Sequence, residues 1–366
     1  MGAAPILPGF HPDPSICRSP DPLRWAIAGA GTISRSIVPD LQLIPGNRVD
    51  VVFSRDKANA ARFAEEFGLP RWTDDFASLI RDPAVDVLYL ATPFATHAAM
   101  AREALYAGKH VVVEKPMALN AGEVEELFTL AQSLGLFLME AMWMKFNPAF
   151  RHLFELLDSG LIGKPSSLRA GFGFPLIADG GSRWDVARSG GTLLDQGIYP
   201  VTLAHAIFGE PTGIHAGGRL REDGLDFAEH FTLDFEEGQF AHCASSMTEF
   251  VDPSASISGT LGWITLPGMF WTSTTLLAHA GTWAKMFAPE PIEHEREGNG
   301  YVPMLRAAGE AIRSGATEHP IHPASETVAV FRTLDTISQH VKDSVAGFPT
   351  EGGSQGATRT EVSDYA

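Results

Sequence analysis

Apolar side chains recur along this chain in two rhythms, and the change from one to the other divides it. Between residues 23 and 140, mainly apolar runs at 23–28, 49–53, 85–91, 111–113 and 136–140 read as strands of a buried sheet. Between the runs, apolar positions return every three or four residues. Ala60, Phe63, Ala64 and Phe67 share one helical face, as do Ala101, Ala104 and Leu105, and again Val124, Leu127, Phe128 and Ala131. Alternating strands and helices predict a parallel, doubly wound sheet. Beyond Pro148 the period shortens to two: Phe231, Leu233 and Phe235 alternate with Thr232 and Asp234, and further strands are predicted at 167–174, 214–220, 240–246 and 256–266. These assemble into a large, mostly antiparallel sheet with one face on helices such as 192–208 and the other face open. Val330, Leu334, Ile337 and Val341 mark a final amphipathic helix.

Length and charge narrow the picture. A chain of 366 residues with 45% hydrophobic content is too long for one ordinary core. The predicted organisation is an N-terminal extension over 1–21, an α/β domain over 22–147, an α+β domain over 148–347 and a disordered tail over 348–366. With 27 basic against 44 acidic side chains, the formal net charge of -17 would repel a phosphate backbone or an anionic bilayer. Nucleic acid and membrane partners are therefore not expected. The two cysteines, Cys17 and Cys243, stand far apart and make neither a disulfide framework nor a zinc motif. His319 and His322 lie beside prolines in a predicted loop and do not complete a metal-ligand set, so no metal is expected. No run reaches the roughly 20 apolar residues of a membrane span, and the first residues lack the pattern of an export signal. The expected location is the cytoplasm.

Candidate chemistry begins where the first strand ends. The run GAGTIS at 29–34 lies between that strand and a helix, the context of a dinucleotide-binding turn. Gly29 permits the tight turn, Gly31 lets backbone approach a pyrophosphate, and Thr32 and Ile33 open the helix whose positive end receives it. Ser34 stands where a third glycine is usual. This is the signature of a Rossmann domain. The second strand ends in Ser54 and Arg55, where an NAD site would present a carboxylate to the ribose. A hydroxyl and a guanidinium suit the 2′-phosphate of NADP, and NADP is expected rather than NAD, although Asp56 follows directly. Residues 111–113 deliver Glu114, Lys115 and Pro116 to the carboxyl end of the sheet, where such folds hold their ligands.

Four segments, in order, carry a resemblance: ATPFATH at 91–97, AGKHVVVEKP at 107–116, LFLMEAMWMKFNP at 136–148 and GGTLLDQGIYP at 190–200. They resemble the Gfo/Idh/MocA family of NAD(P)-dependent oxidoreductases, in particular its branch of dihydrodiol dehydrogenases and D-xylose dehydrogenases, over about residues 23–341. The resemblance implies catalytic roles for Lys115, Asp195 and Tyr199, and a cofactor site that adds Thr92, Pro93, His97, Glu114, Lys115 and Trp143. It implies a substrate pocket of Lys115, Trp143, Phe172, Asp195 and Tyr199, a cis bond before Pro116, and a homodimer or homotetramer joined through the open sheet. Lys145 replaces an arginine common among relatives, and Phe94 a histidine of the dihydrodiol enzymes; both departures bear on the substrate. A separate run, ILPGFHPDPSICR at 6–18, resembles the opening of family 43 glycoside hydrolases. Asp13 would be that family's base, but the chain has no room for its propeller, and no catalytic role follows.

Oxidising a secondary alcohol or hemiacetal requires a base for the hydroxyl proton, a cation beside the developing alkoxide, and alignment with the nicotinamide. Tyr199 and Lys115 supply the first two, the ammonium favouring the phenolate. Asp195, one helical turn before Tyr199, is expected on the same face, holding a substrate hydroxyl or orienting the tyrosine. The function expected is NADP-dependent oxidation of an aldopyranose such as D-xylose at C1 to the lactone. The alternatives are trans-1,2-dihydrodiol dehydrogenation, keto-sugar reduction, and a non-catalytic, cofactor-sensing regulator. The last has no need of a retained Lys115, Asp195 and Tyr199.

Overall fold

The computed structural model describes residues 22–177 and 181–346. The glycosidase-like run, and the extension and tail expected to be disordered, lie outside the described residues. The first half forms β1 (Leu23–Ala28), α1 (Thr32–Gln42), β2 (Asn47–Phe53), α2 (Lys57–Glu66), β3 (Arg71–Thr73), α3 (Phe76–Arg81) and β4 (Val87–Leu90). It continues with α4 (His97–Tyr106), β5 (His110–Val113), α5 (Ala121–Leu134) and β6 (Leu138–Glu140). The strands make one parallel sheet in the order β3-β2-β1-β4-β5-β6. Every residue of β4 and the last four of β1 are buried, as an apolar run without alternation requires when helices cover both faces. The strand order reverses between β1 and β4, and the crevice this opens at their carboxyl ends is the ligand position of doubly wound sheets. β3, with the exposed Trp72, has no apolar run to announce it.

The second half runs through α6 (Pro148–Asp158), β7 (Pro165–Gly173), a π-turn (Leu193–Gly197) leading into α7 (Ile198–Phe208), β8 (Gly213–Leu220), β9 (Asp226–Asp234) and β10 (Phe240–Ser246). It ends with β11 (Ala255–Gly259), β12 (Gly262–Leu266), β13 (Thr275–Ala280), α8 (Trp283–Phe287), β14 (Pro291–Glu293), α9 (Val302–Arg313) and α10 (Ala324–Ala346). The eight strands form one sheet, β14-β13-β12-β11-β7-β10-β9-β8. All its pairings are antiparallel except β7 with β10. Alternation appears as expected: Glu229, Phe231 and Leu233 of β9 are buried while His230 is exposed. The covered face lies under the π-turn, α7 and α10.

Two expectations are corrected. The predicted strand 256–266 is a hairpin, with Gly259 opposite Gly262 and Thr260 and Leu261 making the turn. The predicted helix 192–208 begins instead as the π-turn. Among the described residues no helix is long and apolar enough to cross a membrane.

Candidate active site and dinucleotide cleft

The turn after β1 is built for close approach. Gly29 has φ +113, and a Cβ there would lie 2.3 Å from the Ala91 carbonyl oxygen. Ser34, in place of a third glycine, donates from its hydroxyl to the Gly29 carbonyl at 2.6 Å and ties the turn to α1. A Cβ on Gly31 would meet nothing within 4 Å, and the N-terminus of α1 has no side-chain cap, so its backbone N–H groups remain available to an anion. Thr32 is exposed and Ile33 half-buried beside this opening. These features fit a bound pyrophosphate. Next to the turn lies a cleft of about 520 Å³ lined by Phe53, Arg55, Phe76, Thr92, Pro93 and Met100, among others. Arg55 is exposed at its rim. Asp56 caps α2, accepting from the Ala58 and Asn59 N–H groups, and its own N–H donates to Ser54 Oγ at 3.3 Å.

His97 does not line the cleft. It is wholly buried, with Nδ1 2.8 Å from the Pro116 carbonyl and Nε2 2.8 Å from the Thr92 carbonyl, so it ties two backbone segments together. Burial pushes its pKa down. Glu114 is likewise turned inward, accepting from the Tyr89 hydroxyl at 2.5 Å and from the Lys115 N–H at 3.2 Å, and burial raises its carboxyl to about 7. Both were expected at the cofactor, and both have their polar atoms committed to the scaffold. The Lys115–Pro116 bond is cis.

Lys115, Asp195 and Tyr199 come together over the carboxyl end of β5. The Lys115 ammonium is 2.9 Å from Asp195 Oδ1 and 2.7 Å from the Asp195 carbonyl oxygen. Arg183 Nε lies 2.7 Å from Asp195 Oδ2. Burial works against the charge of Asp195, but Lys115 and Arg183 outweigh it and hold the carboxyl below its ordinary range.

Tyr199 is buried, its hydroxyl accepting from Trp143 Nε1 at 2.9 Å, with the Lys115 ammonium 5.0 Å from its ring centre. Burial pushes the phenol above its ordinary range despite the Trp143 N–H. Lys115, expected to draw the tyrosine toward phenolate, has its ammonium paired with Asp195, and at the phenol burial outweighs the Trp143 hydrogen bond.

An aromatic wall adjoins the cluster. Phe172 stacks on Trp271 with centroids 3.6 Å apart, and Tyr199 lies 5.7 and 5.8 Å from the two rings. Phe94 stands 6.0 Å from the Lys115 ammonium. Lys145 is buried against Glu326 of α10 and does not reach this wall as a free cation. Sequence reading missed Trp271, which carries no motif, and Tyr301, which stacks on Trp143 at 4.5 Å; a glycine on either side of Asn299 was the available signal.

Comparison with known proteins agrees with this architecture. Residues 23–142 match a family model described as an oxidoreductase family with an NAD-binding Rossmann fold, and residues 150–265 match the GFO/IDH/MocA C-terminal domain. The trans-1,2-dihydrobenzene-1,2-diol dehydrogenase of Mus musculus is 35% identical over 86% of this chain and 95% of its own length. That of Homo sapiens is 33% identical over 87% and 97%. A 3-ketoreductase from Actinomadura kijaniata, solved with NADP and TDP-benzene, aligns with a TM-score of 0.78 at 25% identity, covering 88% of this chain and 98% of its own. The aldose-aldose oxidoreductase of Caulobacter crescentus, solved with glycerol, gives the same values. With both domain models matched in order and relatives aligned along most of its length, the chain belongs to the Gfo/Idh/MocA family of oxidoreductases.

Proposed function

We propose that this protein is an NADP-dependent dehydrogenase that oxidises a ring hydroxyl of a small cyclic substrate, an aldopyranose such as D-xylose at C1 being the leading case. The observation that carries the reading is the convergence of Lys115, Asp195 and Tyr199 beside the dinucleotide cleft. Bound nicotinamide would supply the hydride acceptor. Tyr199 exchanges a proton with the substrate oxygen, and the Lys115 ammonium, anchored by Asp195, stabilises negative charge developing there. For oxidation Tyr199 first releases its phenol proton to solvent, and the phenolate then takes the substrate's hydroxyl proton as hydride leaves; burial moves that ionisation to higher pH. In the reverse direction the same phenol donates to a carbonyl, which suits keto-sugar reduction. The aromatic wall of Phe172 and Trp271 favours a second substrate class, trans-dihydrodiols, in keeping with the names of the mammalian relatives.

Purified protein mixed with NADP or NAD and a panel of aldoses, trans-diols and inositols, followed at the reduced-nicotinamide absorbance band, separates these readings. Reduction with an aldose supports the first, and reduction only with diols supports the second. Silence with every alcohol, together with reduced-cofactor consumption by a keto-sugar, overturns the dehydrogenase assignment in favour of a reductase. NADP preference is supported by Arg55 at the cleft rim and by Asp56 being occupied as a helix cap. Arg55→Ala is expected to raise the KM for NADP by about 10- to 100-fold, the scale of a lost charge-assisted hydrogen bond, and to leave that for NAD unchanged.

A further inference from the structure

Asp40 sits in α1, the helix that opens at the glycine turn, yet its carboxylate is fully buried and, among the described residues, makes no ion pair. It is satisfied by one short stretch of chain from the far end of the sequence. Oδ1 accepts from the Asn299 N–H at 2.8 Å and from Asn299 Nδ2 at 3.0 Å, and Oδ2 accepts from the Tyr301 N–H at 2.9 Å. The stretch fits only because two positions lack side chains. A Cβ on Gly298 would lie 2.3 Å from Asp40 Oδ1, and one on Gly300 would lie 2.9 Å from the Trp143 ring. Residues 298–301 are thereby clamped between α1 and Trp143.

What the clamp delivers is the Tyr301 ring. It stacks on Trp143 with centroids 4.5 Å apart and planes 22° from parallel. Trp143 in turn donates its indole N–H to the Tyr199 hydroxyl at 2.9 Å. A buried carboxylate, a two-glycine turn, a stacked ring pair and one hydrogen bond thus form a continuous path from the cofactor-binding helix to the phenol. An indole N–H holds a hydroxyl only if the indole plane is fixed, and the ring stacked against it fixes that plane.

We propose that Tyr301, seated by Asp40 through the 298–301 turn, is a positioning residue for Tyr199 and acts through Trp143. This rests on the reading that Tyr199 exchanges the substrate proton. Since an N–H donated to the hydroxyl favours the phenolate, releasing Trp143 raises the pKa of Tyr199, and the limb of the rate profile that reports it moves to higher pH.

The test compares wild type, Tyr301→Ala, Tyr301→Phe, Asp40→Asn and Tyr199→Phe in the full chain, measuring kcat and KM across pH and NADP affinity by protein fluorescence. Tyr301→Ala is expected to lower kcat by about 100-fold, the cost of misplacing a reacting group by about 1 Å, and to shift the limb upward with NADP affinity retained. Tyr301→Phe, which keeps the ring, restores both; Asp40→Asn reproduces the shift with a smaller loss. A merely structural role would lower activity without moving the limb. Wild-type kcat and an unmoved limb in Tyr301→Ala overturn the inference alone. Normal turnover in Tyr199→Phe overturns both the inference and the assignment it rests on.

Discussion

The Tyr199 hydroxyl accepts a hydrogen bond from Trp143, which is itself almost fully buried. On the proposed reading the hydroxyl carries the proton, and its removal leaves the wall of Phe172 and Trp271 in place. Tyr199→Phe is therefore expected to lower turnover by about two to four orders of magnitude and leave NADP binding intact, measured by steady-state rates and cofactor titration. Asp195 differs in kind. Its charge is stabilised from two sides, by Lys115 and Arg183, and its carbonyl takes a third contact from the same ammonium. Lys115 and Tyr199 were legible in sequence because a short motif surrounds each. Arg183 precedes the Gly190 segment, and no motif surrounds it. Its pairing with Asp195 depends on a loop whose path no periodicity encodes.

The π-turn at Leu193–Gly197 is supported from beneath by β9 and β10. Asp226 Oδ2 accepts from the Leu193 N–H at 2.8 Å, and Ser245 donates to Glu229 Oε1. A Cβ on Gly197 would stand 2.9 Å from Ser245 Oγ and 3.3 Å from Glu229 Oε1, so the turn lies directly on this pair. Burial raises Glu229 well above the ordinary carboxyl range and raises Asp226 as well. A raised carboxyl means the folded protein holds a proton that the unfolded chain releases more readily. That contribution is complete below the unfolded pKa and is lost as pH climbs toward the folded one. Glu229→Gln keeps the shape and removes the titration. Thermal melts are expected to show wild-type stability declining as pH rises out of the ordinary glutamate range, with a flatter profile for Glu229→Gln; parallel profiles would count against it. Asp195 works in the opposite sense, its lowered carboxyl costing stability only as pH falls below the ordinary aspartate range. Neither the π-turn nor its support was predicted, since an inserted residue leaves apolar spacing nearly unchanged.

Across the molecule, two sheets of different construction share one core cluster. Five strands of the parallel sheet were legible because each is mainly apolar and buried, whereas β3, with Arg71 and the exposed Trp72, was not. In the second sheet, β13 and β14 escaped notice because His279, Pro291 and Glu293 interrupt their alternation. The outward face of that sheet presents His230, Arg169 and His242, with Phe240 at the β10 end. A homodimer or homotetramer closing over it is expected by light scattering, and Phe240→Glu is expected to shift it toward monomer; a monomeric wild type would refute this. β7 has another bearing on this sheet. It precedes all its partners in the chain, yet it is the seam between β8-β9-β10 on one side and β11-β12-β13-β14 on the other. Each flank consists of neighbours in sequence and can form locally, but the flanks meet only when β7 captures both, and its parallel bond to β10 closes a loop of about seventy residues, from Leu168 to Ala241. Closing so long a loop is slow compared with zipping a hairpin. In folding time, β7 is the first strand of the sheet to be synthesised and the last to be satisfied.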